Sequence, residues 1–382
     1  MSILIGADFV PTKSNIELFN AGNVVELVGN ELLRVLNDAD FRIFNLEVPL
    51  TDIITPIDKC GPNLIAPTST INGYKSIGVN FVTLANNHIL DQGSQGIIST
   101  CETLKNNGIS YCGVGTLADA SKPFIFAFGN KRVGVYVCAE HEFSIATENS
   151  IGANPYDPLE SFDHVLNLKK NVDYLIVLYH GGKEHYRYPS PNLQRVCRKF
   201  IKSGANLIIC QHTHCIGCEE KYLDGTIVYG QGNFLFDYYD SEFWQTSLLL
   251  SIDKKFDISY IPIVKTNCSV RLAESGEKEK ILRGFFTRSE EIKKEGFIEK
   301  RFTEFATTKI DDYLLTLSGV KSNLAFKVLN KLTSRKFGKI LLKKKYKTKT
   351  LLAIENFICC ESHKELLLKG ITERELKKIN AK

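Results

Sequence analysis

Seven short runs in the first 265 residues are apolar or nearly so: ILIGA near the N-terminus, then RIFNL, NFVTLA, RVGVYVC, VDYLIVLY, ANLIIC and TIVYG. Several are apolar throughout rather than alternating, as strands covered on both faces must be. Between them, apolar residues recur at helical spacing. GNELLRVLNDA is one such segment. SQGIISTCETLKNNG opens with Ser94 as its cap and stops at Gly108. SPNLQRVCRKFIKSG carries Pro191 in its first turn and stops at Gly204. This alternation predicts an α/β domain over residues 1–265. WQTSLLLSID and DISYIPIVK read as a closing β-pair. From residue 266 to 382 the character changes. ESGEKEK and SEEIKKEG are charged linkers or solvated helix faces, and from Thr307 the pattern is helical, ending in TERELKKINAK. The second segment is therefore a charged linker and a mainly helical, Lys-rich C-terminal extension.

Charge sharpens that division. The chain carries a net charge of +5, yet residues 313–354 hold eleven Lys or Arg and no Asp or Glu. The main body is thus mildly acidic and the extension basic. The eleven cysteines form no paired framework, and a chain of 382 residues needs no disulfide staples, so they read as reduced thiols. The N-terminus, MSILIGADF, has no basic region ahead of its apolar run. No apolar stretch reaches the roughly 18 residues of a membrane span. The expected location is the cytoplasm, with peripheral contact at the inner membrane face as an option.

Candidate chemistry collects just after the strands, where sites form in open α/β sheets. ILIGA is followed by Asp8, RIF by Asn45-Leu46-Glu47, and FVTLA by Asn86-Asn87-His88. LIVLY is followed by His180 and Gly181-Gly182, LIIC by Gln211, His212 and His214, and TIVYG by Gln231-Gly232-Asn233. Imidazoles and carboxylates in one place suit Mn, Fe or Zn. One carboxylate can bridge two such ions. In an extended His212-Thr213-His214 segment both rings would share a face and could serve adjacent metals. Any one of these residues alone would be an ordinary cap, turn or core group, and His141, His164, His185 and His363 are read that way. His185 is set apart only by sharing a loop with His180. Cys215-Ile216-Gly217-Cys218 admits other readings, a zinc knuckle with Cys210 and the two histidines or a redox pair, but unreactive thiols fit better.

The segments GADFVP, NLEVPLT, LANNHILDQGSQGI, HGGKEHYRYPSP, GANLIICQHTHCIGCEE and YGQGNFLFD, in this order over about residues 1–240, resemble the CapA family. These are bacterial capsule-synthesis, or poly-γ-glutamate-synthesis, proteins related to the calcineurin-like metallophosphoesterases. The resemblance implies a four-layer α/β sandwich of metallophosphoesterase type with a two-metal site. It implies metal binding by Asp8, Glu47 as bridge, Asn87, His180, His212 and His214, with His88 catalytic. Two positions depart from the phosphoesterase pattern: Val10 stands where a His is usual, and the bridging group is Glu rather than Asp. The cofactor expected is therefore one or two divalent ions. Many relatives carry an N-terminal membrane anchor; with Asp8 seven residues from the start, none is expected here.

The function expected is a metal-dependent hydrolase of capsule or exopolymer metabolism, cleaving a phosphoester or amide with a metal-bound hydroxide. His88 would protonate the leaving group. Lys183, Glu184 and Arg187 in the loop after His180, with Tyr186, Tyr188 and Asn233, would hold an anionic polymer or small-molecule substrate. Two alternatives stand beside it: a metal-dependent epimerase acting at an α-carbon, and a non-catalytic accessory protein of a polymer-synthesis assembly. In the extension, Ala325, Val328, Leu329 and Leu332 recur at helical spacing among Lys327, Lys331, Arg335 and Lys336. Residues 321–350 could pack as a helix with a solvated Lys-rich face or lie on an anionic membrane surface. No nucleic acid is expected, since no recognition module is present and the main body is acidic.

Overall fold

The computed structural model describes residues 1–236 and 241–379. Asp237 of the YGQGNFLFD segment and the last three residues of TERELKKINAK lie outside the described residues. The chain divides into two compact units, Met1–Phe302 and Thr303–Lys382.

The first unit is built on two sheets. The larger contains β1 (Ser2–Phe9), β2 (Phe41–Asn45), β3 (Phe81–Thr83), β4 (Ser110–Cys112), β13 (Asn233–Leu235), β14 (Thr246–Asp253), β15 (Ile258–Thr266) and β16 (Ser269–Leu272). Its order is β16-β15-β14-β1-β2-β3-β4, with β13 pairing to the end of β1. β1 through β4 run parallel, and β14 to β16 add an antiparallel flank. The second sheet contains β6 (Phe124–Phe128), β7 (Lys131–Ala139), β9 (Tyr174–His180), β10 (Leu207–Gln211), β11 (Glu219–Tyr222) and β12 (Gly225–Val228), in the order β11-β12-β10-β9-β7-β6. Two short strands, β5 (Val114–Gly115) and β8 (Gly152–Ala153), pair separately.

Alternation within β7 shows how the layers stack. Val133, Val135 and Val137 point into a core shared with the first sheet, with Phe44, Ile43 and Phe81 among its members. Tyr136 and Cys138 point the other way, onto Val165, Leu168, Cys197 and Phe200 of the helices Ser161–Lys169 and Pro191–Lys202. The opposite face of the molecule is closed by Leu27, Leu32 and Leu36 of the helix Val24–Asn37 and by Tyr74 and Ile77 of the helix Ile71–Ile77. The result is helix, sheet, sheet, helix: the four-layer sandwich that the resemblance implied. β9 and β10 are buried along their whole length, which accounts for their unbroken apolar sequences.

Local details follow the sequence with one correction. Ser190 caps the helix Pro191–Lys202, its Oγ accepting from Leu193 N at 3.0 Å. Ser94 does not cap its helix. That helix begins at Gly93, whose φ of +68° supplies the turn, and Ser94 lies inside it. The charged ESGEKEK segment enters a helix, Ser275–Glu291, which packs against β11 and β15 as part of the first unit.

The second unit is helical, with Leu324–Leu332, Lys336–Lys345, Thr348–Cys359 and Glu361–Ile379 following the end of the helix Phe297–Leu317. Its small core is Leu314, Leu315, Phe326 and Leu342. Ala325, Val328, Leu329 and Leu332, which periodicity marks as the apolar face, are exposed, and Phe326 turns inward instead. No helix among the described residues is long and apolar enough to cross a membrane.

Candidate metal centre

Strand register brings the polar residues into line. Asn233, Asp8, Asn45 and Thr83 stand abreast across β13, β1, β2 and β3, because each is the Cα partner of the next. In the second sheet Ala139, His180 and Gln211 stand abreast across β7, β9 and β10. Both rows mark the carboxyl-terminal edges of parallel strands. Glu47, Asn87 and His88 extend from the first edge, and His212 and His214 from the second.

The side chains then converge. Glu47, His180 and His212 present ligand atoms within 4.8 Å of one another, and so do Asp8, Glu47 and His214. Glu47 belongs to both groups, the place the bridging carboxylate was expected to take. Asn87 Oδ1 lies 2.9 Å from His180 Nε2. Asn233 Oδ1 lies 2.8 Å from His214 Nδ1, so Asn233 orients a ring of the cluster.

Several groups here face a gap in bonding. Neither oxygen of Glu47 has a hydrogen-bond partner, and neither does His212 Nδ1, although all are buried. His180 Nε2 approaches Glu47 Oε1 only to 3.3 Å. Asp8 Oδ2 has His214 Nδ1 at 3.4 Å, while Asp8 Oδ1 accepts from Asn45 Nδ2 at 2.8 Å. A buried carboxylate left in this state costs several kcal/mol unless positive charge accompanies it. The residues present therefore fit a divalent cation: two carboxylates, three imidazoles and an amide oxygen, aimed inward and under-bonded.

Protonation behaviour reports the same field. Burial pushes the Asp8 carboxyl up, but contact with His214 and the charges of His180 and His214 outweigh it and hold Asp8 well below the usual carboxylate range. Burial lowers His214, yet contact with Asp8 and the charge of Glu47 carry it to about 9. Burial likewise opposes His180, which the Glu47 charge raises. His212 is pushed far down, by burial first and then by His180 and His214. A cluster that attracts protons at two of three histidines attracts a metal cation by the same potential.

The backbone is bent to place these rings. His185, His212 and His214 have φ of +58°, +78° and +53°, a left-handed conformation that costs a non-glycine residue about 1–2 kcal/mol. The His-Thr-His segment is thus not extended, and its two rings reach different ligand groups through the turn. Gly217, in the same loop, packs where no side chain fits: a Cβ there would stand 1.8 Å from Tyr229 O. Cys210 and Cys218 belong to the apolar core against the helices, and Cys215 is buried, so the zinc-knuckle arrangement does not form. Burial pushes the Cys215 thiol up to about 11. Val10 is buried and donates its N–H to Leu235 O at 2.7 Å.

The model of the family described as "Bacterial capsule synthesis protein PGA_cap" matches residues 18–238, more than half of the chain. The chain belongs to this family. The PGA_cap match takes in every proposed ligand except Asp8, which precedes it and joins through β1. Among curated PGA_cap-like relatives, the capsule biosynthesis protein CapA of Bacillus anthracis is 30% identical over 212 residues, 53% of this chain and 52% of that one. The PGA biosynthesis protein CapA of Bacillus subtilis (strain 168) is 30% identical over 166 residues, 42% of this chain and 43% of that one. The matches thus span about half the length of these curated relatives. Solved structures with a similar arrangement include a novel phosphatase from Mycoplasma pneumoniae (TM-score 0.46, 14% identity, 70% of this chain and 94% of that one). Another is a putative 5'-nucleotidase from Staphylococcus aureus (TM-score 0.42, 14% identity, 74% and 57%).

Around the PGA_cap residues stand others, most of which strand-end reasoning did not single out. Asp91 Oδ2 lies 2.6 Å from His88 Nδ1 and accepts from Leu64 N at 2.6 Å. Lys59 Nζ bonds the other Asp91 oxygen and approaches His88 Nδ1 at 3.3 Å. Asn45 joins Asp8, His180, Thr83 and Asn86. Glu142 Oε2 accepts from Asn87 Nδ2 at 3.2 Å, which turns Asn87 Oδ1 toward His180. Trp244 stacks on His214 at 4.6 Å and donates from Nε1 to His185 Nε2 at 2.9 Å. Lys265 of β15 is buried with no hydrogen-bond partner for Nζ, 5.8 Å from the centre of the Trp244 ring. Of the residues predicted to hold substrate, Lys183 is exposed and Glu184 half-buried in the loop after His180. Arg187 points to Glu242, at 3.0 Å, and lies 4.8 Å over the Phe243 ring.

Proposed function

We propose that the chain is a metal-dependent hydrolase acting on an anionic capsule or exopolymer substrate, at a phosphoester or amide bond. The observation that carries this reading is the buried Glu47 carboxylate, under-bonded at both oxygens and shared by two ligand groups. The capsule context rests on family membership and on the names of the two Bacillus relatives.

Asp8, Glu47, Asn87, His180, His212 and His214 would hold one or two divalent ions of the Mn, Fe or Zn kind. When bound, such an ion supplies Lewis acidity and lowers the pKa of water from about 15.7 toward 7. The remaining work falls to the chain. The Asp91 carboxylate beside Nδ1 fixes the His88 ring with Nδ1 as donor, so in the protonated ring Nε2 is the atom that would give a proton to a leaving group. Lys59 holds the same carboxylate from its other oxygen. His88 stands close enough to the centre for its charge to lower His212. Trp244 covers His214 and excludes water from that side. Lys183 and Glu184, in the loop after His180, would meet an anionic substrate, whereas Arg187 of the same loop turns away to Glu242.

The test begins with elemental analysis, followed by phosphoesters and γ-glutamyl or sugar-linked amides offered to wild type and His88→Ala in deuterated water. Cleavage that depends on His88 supports the proposal. Deuterium at the α-carbon of an uncleaved substrate would establish epimerisation instead. Metal-free protein with no turnover dependent on His88 would establish an accessory role.

A further inference from the structure

Next to the metal centre lies a cavity of about 700 Å³ that the proposed reaction does not use. Its wall is shared with the centre. Trp244 of the short helix Glu242–Gln245 stacks on His214, whereas Glu242 and Gln245 of that helix line the cavity. Ile216, two residues beyond His214, lines it as well.

The lining is cationic. Arg187, Lys280, Arg283, Arg288 and Arg301 face two carboxylates, Glu242 and Glu277. Both carboxylates are already engaged: Glu242 by Arg187 at 3.0 Å, and Glu277 by both terminal nitrogens of Arg271 at 2.8 and 2.9 Å. Arg283 pairs outward with Glu279 at 2.5 Å. Arg288 is half-buried, and its Nε and Nη2 donate to neutral carbonyls, Gly217 O at 2.8 Å and Ile216 O at 3.2 Å. Arg187 Nη1 donates to the same Ile216 carbonyl at 3.0 Å. Two guanidinium groups thus converge on one oxygen, and burial and then the Arg187 charge lower the Arg288 pKa. Lys280 has no ion-pair partner among the described residues.

Two half-buried guanidinium groups held this close together, Arg187 and Arg288, are stabilised when an anion completes them, and Lys280 and Arg301 stand exposed beside them. A guanidinium offers planar, paired donors that match carboxylate and phosphate oxygens. The volume falls in the range of small-molecule sites, about 300–1,000 Å³. We propose that this cavity is a second binding site, for a multivalent anion carrying carboxylate or phosphate groups, gripped by Arg187, Arg288, Arg301 and Lys280. The site is distinct from the metal centre, and its occupancy does not depend on turnover there. Through the helix Glu242–Gln245, a ligand in the cavity sits one wall away from the ring that covers His214.

Calorimetric titration of the full-length protein, as purified, with tripolyphosphate and separately with pentaglutamate tests this at about 0.15 M salt. The double variant Arg301→Gln, Lys280→Gln should bind at least tenfold more weakly while keeping wild-type metal content and melting temperature. Arg301→Lys with Lys280 intact should retain most of the affinity. Tripolyphosphate binding alone would identify a phosphorylated ligand, and pentaglutamate binding a carboxylate-rich chain. Absence of binding by both probes would overturn the proposal. So would undiminished binding in the double variant, since that binding would belong to the metal centre.

Discussion

Asp91 Oδ2 stands 2.6 Å from His88 Nδ1, three residues along the same turn, and this contact leaves Nε2 as the nitrogen not engaged by Asp91. The ring needs Asp91 as acceptor to keep its proton on Nδ1 when neutral. His88→Ala should keep its metal and lose about 10²–10⁴-fold in turnover. Asp91→Asn should keep both metal and substrate affinity, with kcat lowered and its pH profile displaced. Loss of metal from His88→Ala would make His88 a ligand.

Removing two ligands tests the centre itself. His212→Ala with His214→Ala should abolish bound transition metal, read by elemental analysis, and leave the far-ultraviolet dichroism unchanged. Equal metal in wild type and double variant would remove the assignment.

The strained backbone at His212 makes a separate prediction. At φ +78°, glycine fits where alanine does not. His212→Gly should melt above His212→Ala, by a difference corresponding to about 1 kcal/mol. Both lack the imidazole, so the comparison isolates the backbone.

Lys265 gives a pH dependence. Burial lowers its amine from the ordinary 10.5 to about 7, with the Asp8 charge opposing. Between pH 7 and 10.5 the unfolded chain holds a proton that the folded chain has released, so stability rises with pH across that window. Below pH 7 the folded protein carries the full cost of the buried charge. The slope from this group is up to about 1.4 kcal/mol per pH unit. Denaturant midpoints measured from pH 6 to 10 should show the rise in wild type and lose that component in Lys265→Met.

The basic extension predicts contact with an anionic membrane. The exposed Leu324, Val328, Leu329 and Leu332 lie among Lys327, Lys331, Arg335 and Lys336. Each cation near a negatively charged leaflet contributes about 1 kcal/mol. The full chain should co-sediment with vesicles containing anionic lipid, not with neutral ones, and release as salt rises. Changing those four cations to Gln should abolish the recovery; equal recovery would rule the contact out.

The strands and most of the metal centre were legible because sheet burial writes itself into sequence. β9 and β10 are largely apolar up to their last residues, so the polar residues that close them, His180 and Gln211, mark the rim, with His212 following at once. Glu142 follows β7 onto that same rim, and applying the strand-end rule to RVGVYVC would have found it. Asp91 was within reach too, three residues after His88. Lys59 was not: it enters from a loop 29 residues before His88, and nothing local announces its contact. The 324–332 helix shows the opposite failure. Its periodicity described a face correctly as apolar, but packing inside the unit selected Phe326 from another side. Spacing identifies which residues share a face, and only tertiary partners determine which face is covered.

The two edges that meet at the centre are supplied by widely separated parts of the chain. Asp8 lies in the first strand, whereas His214 comes after two-thirds of the first unit has been made. During synthesis the growing polypeptide therefore cannot assemble either ligand group until both sheets have emerged and closed on each other. Metal capture at this candidate centre would then be a late event, one that fastens an already formed sandwich at its open rim and resists the sheets' parting there.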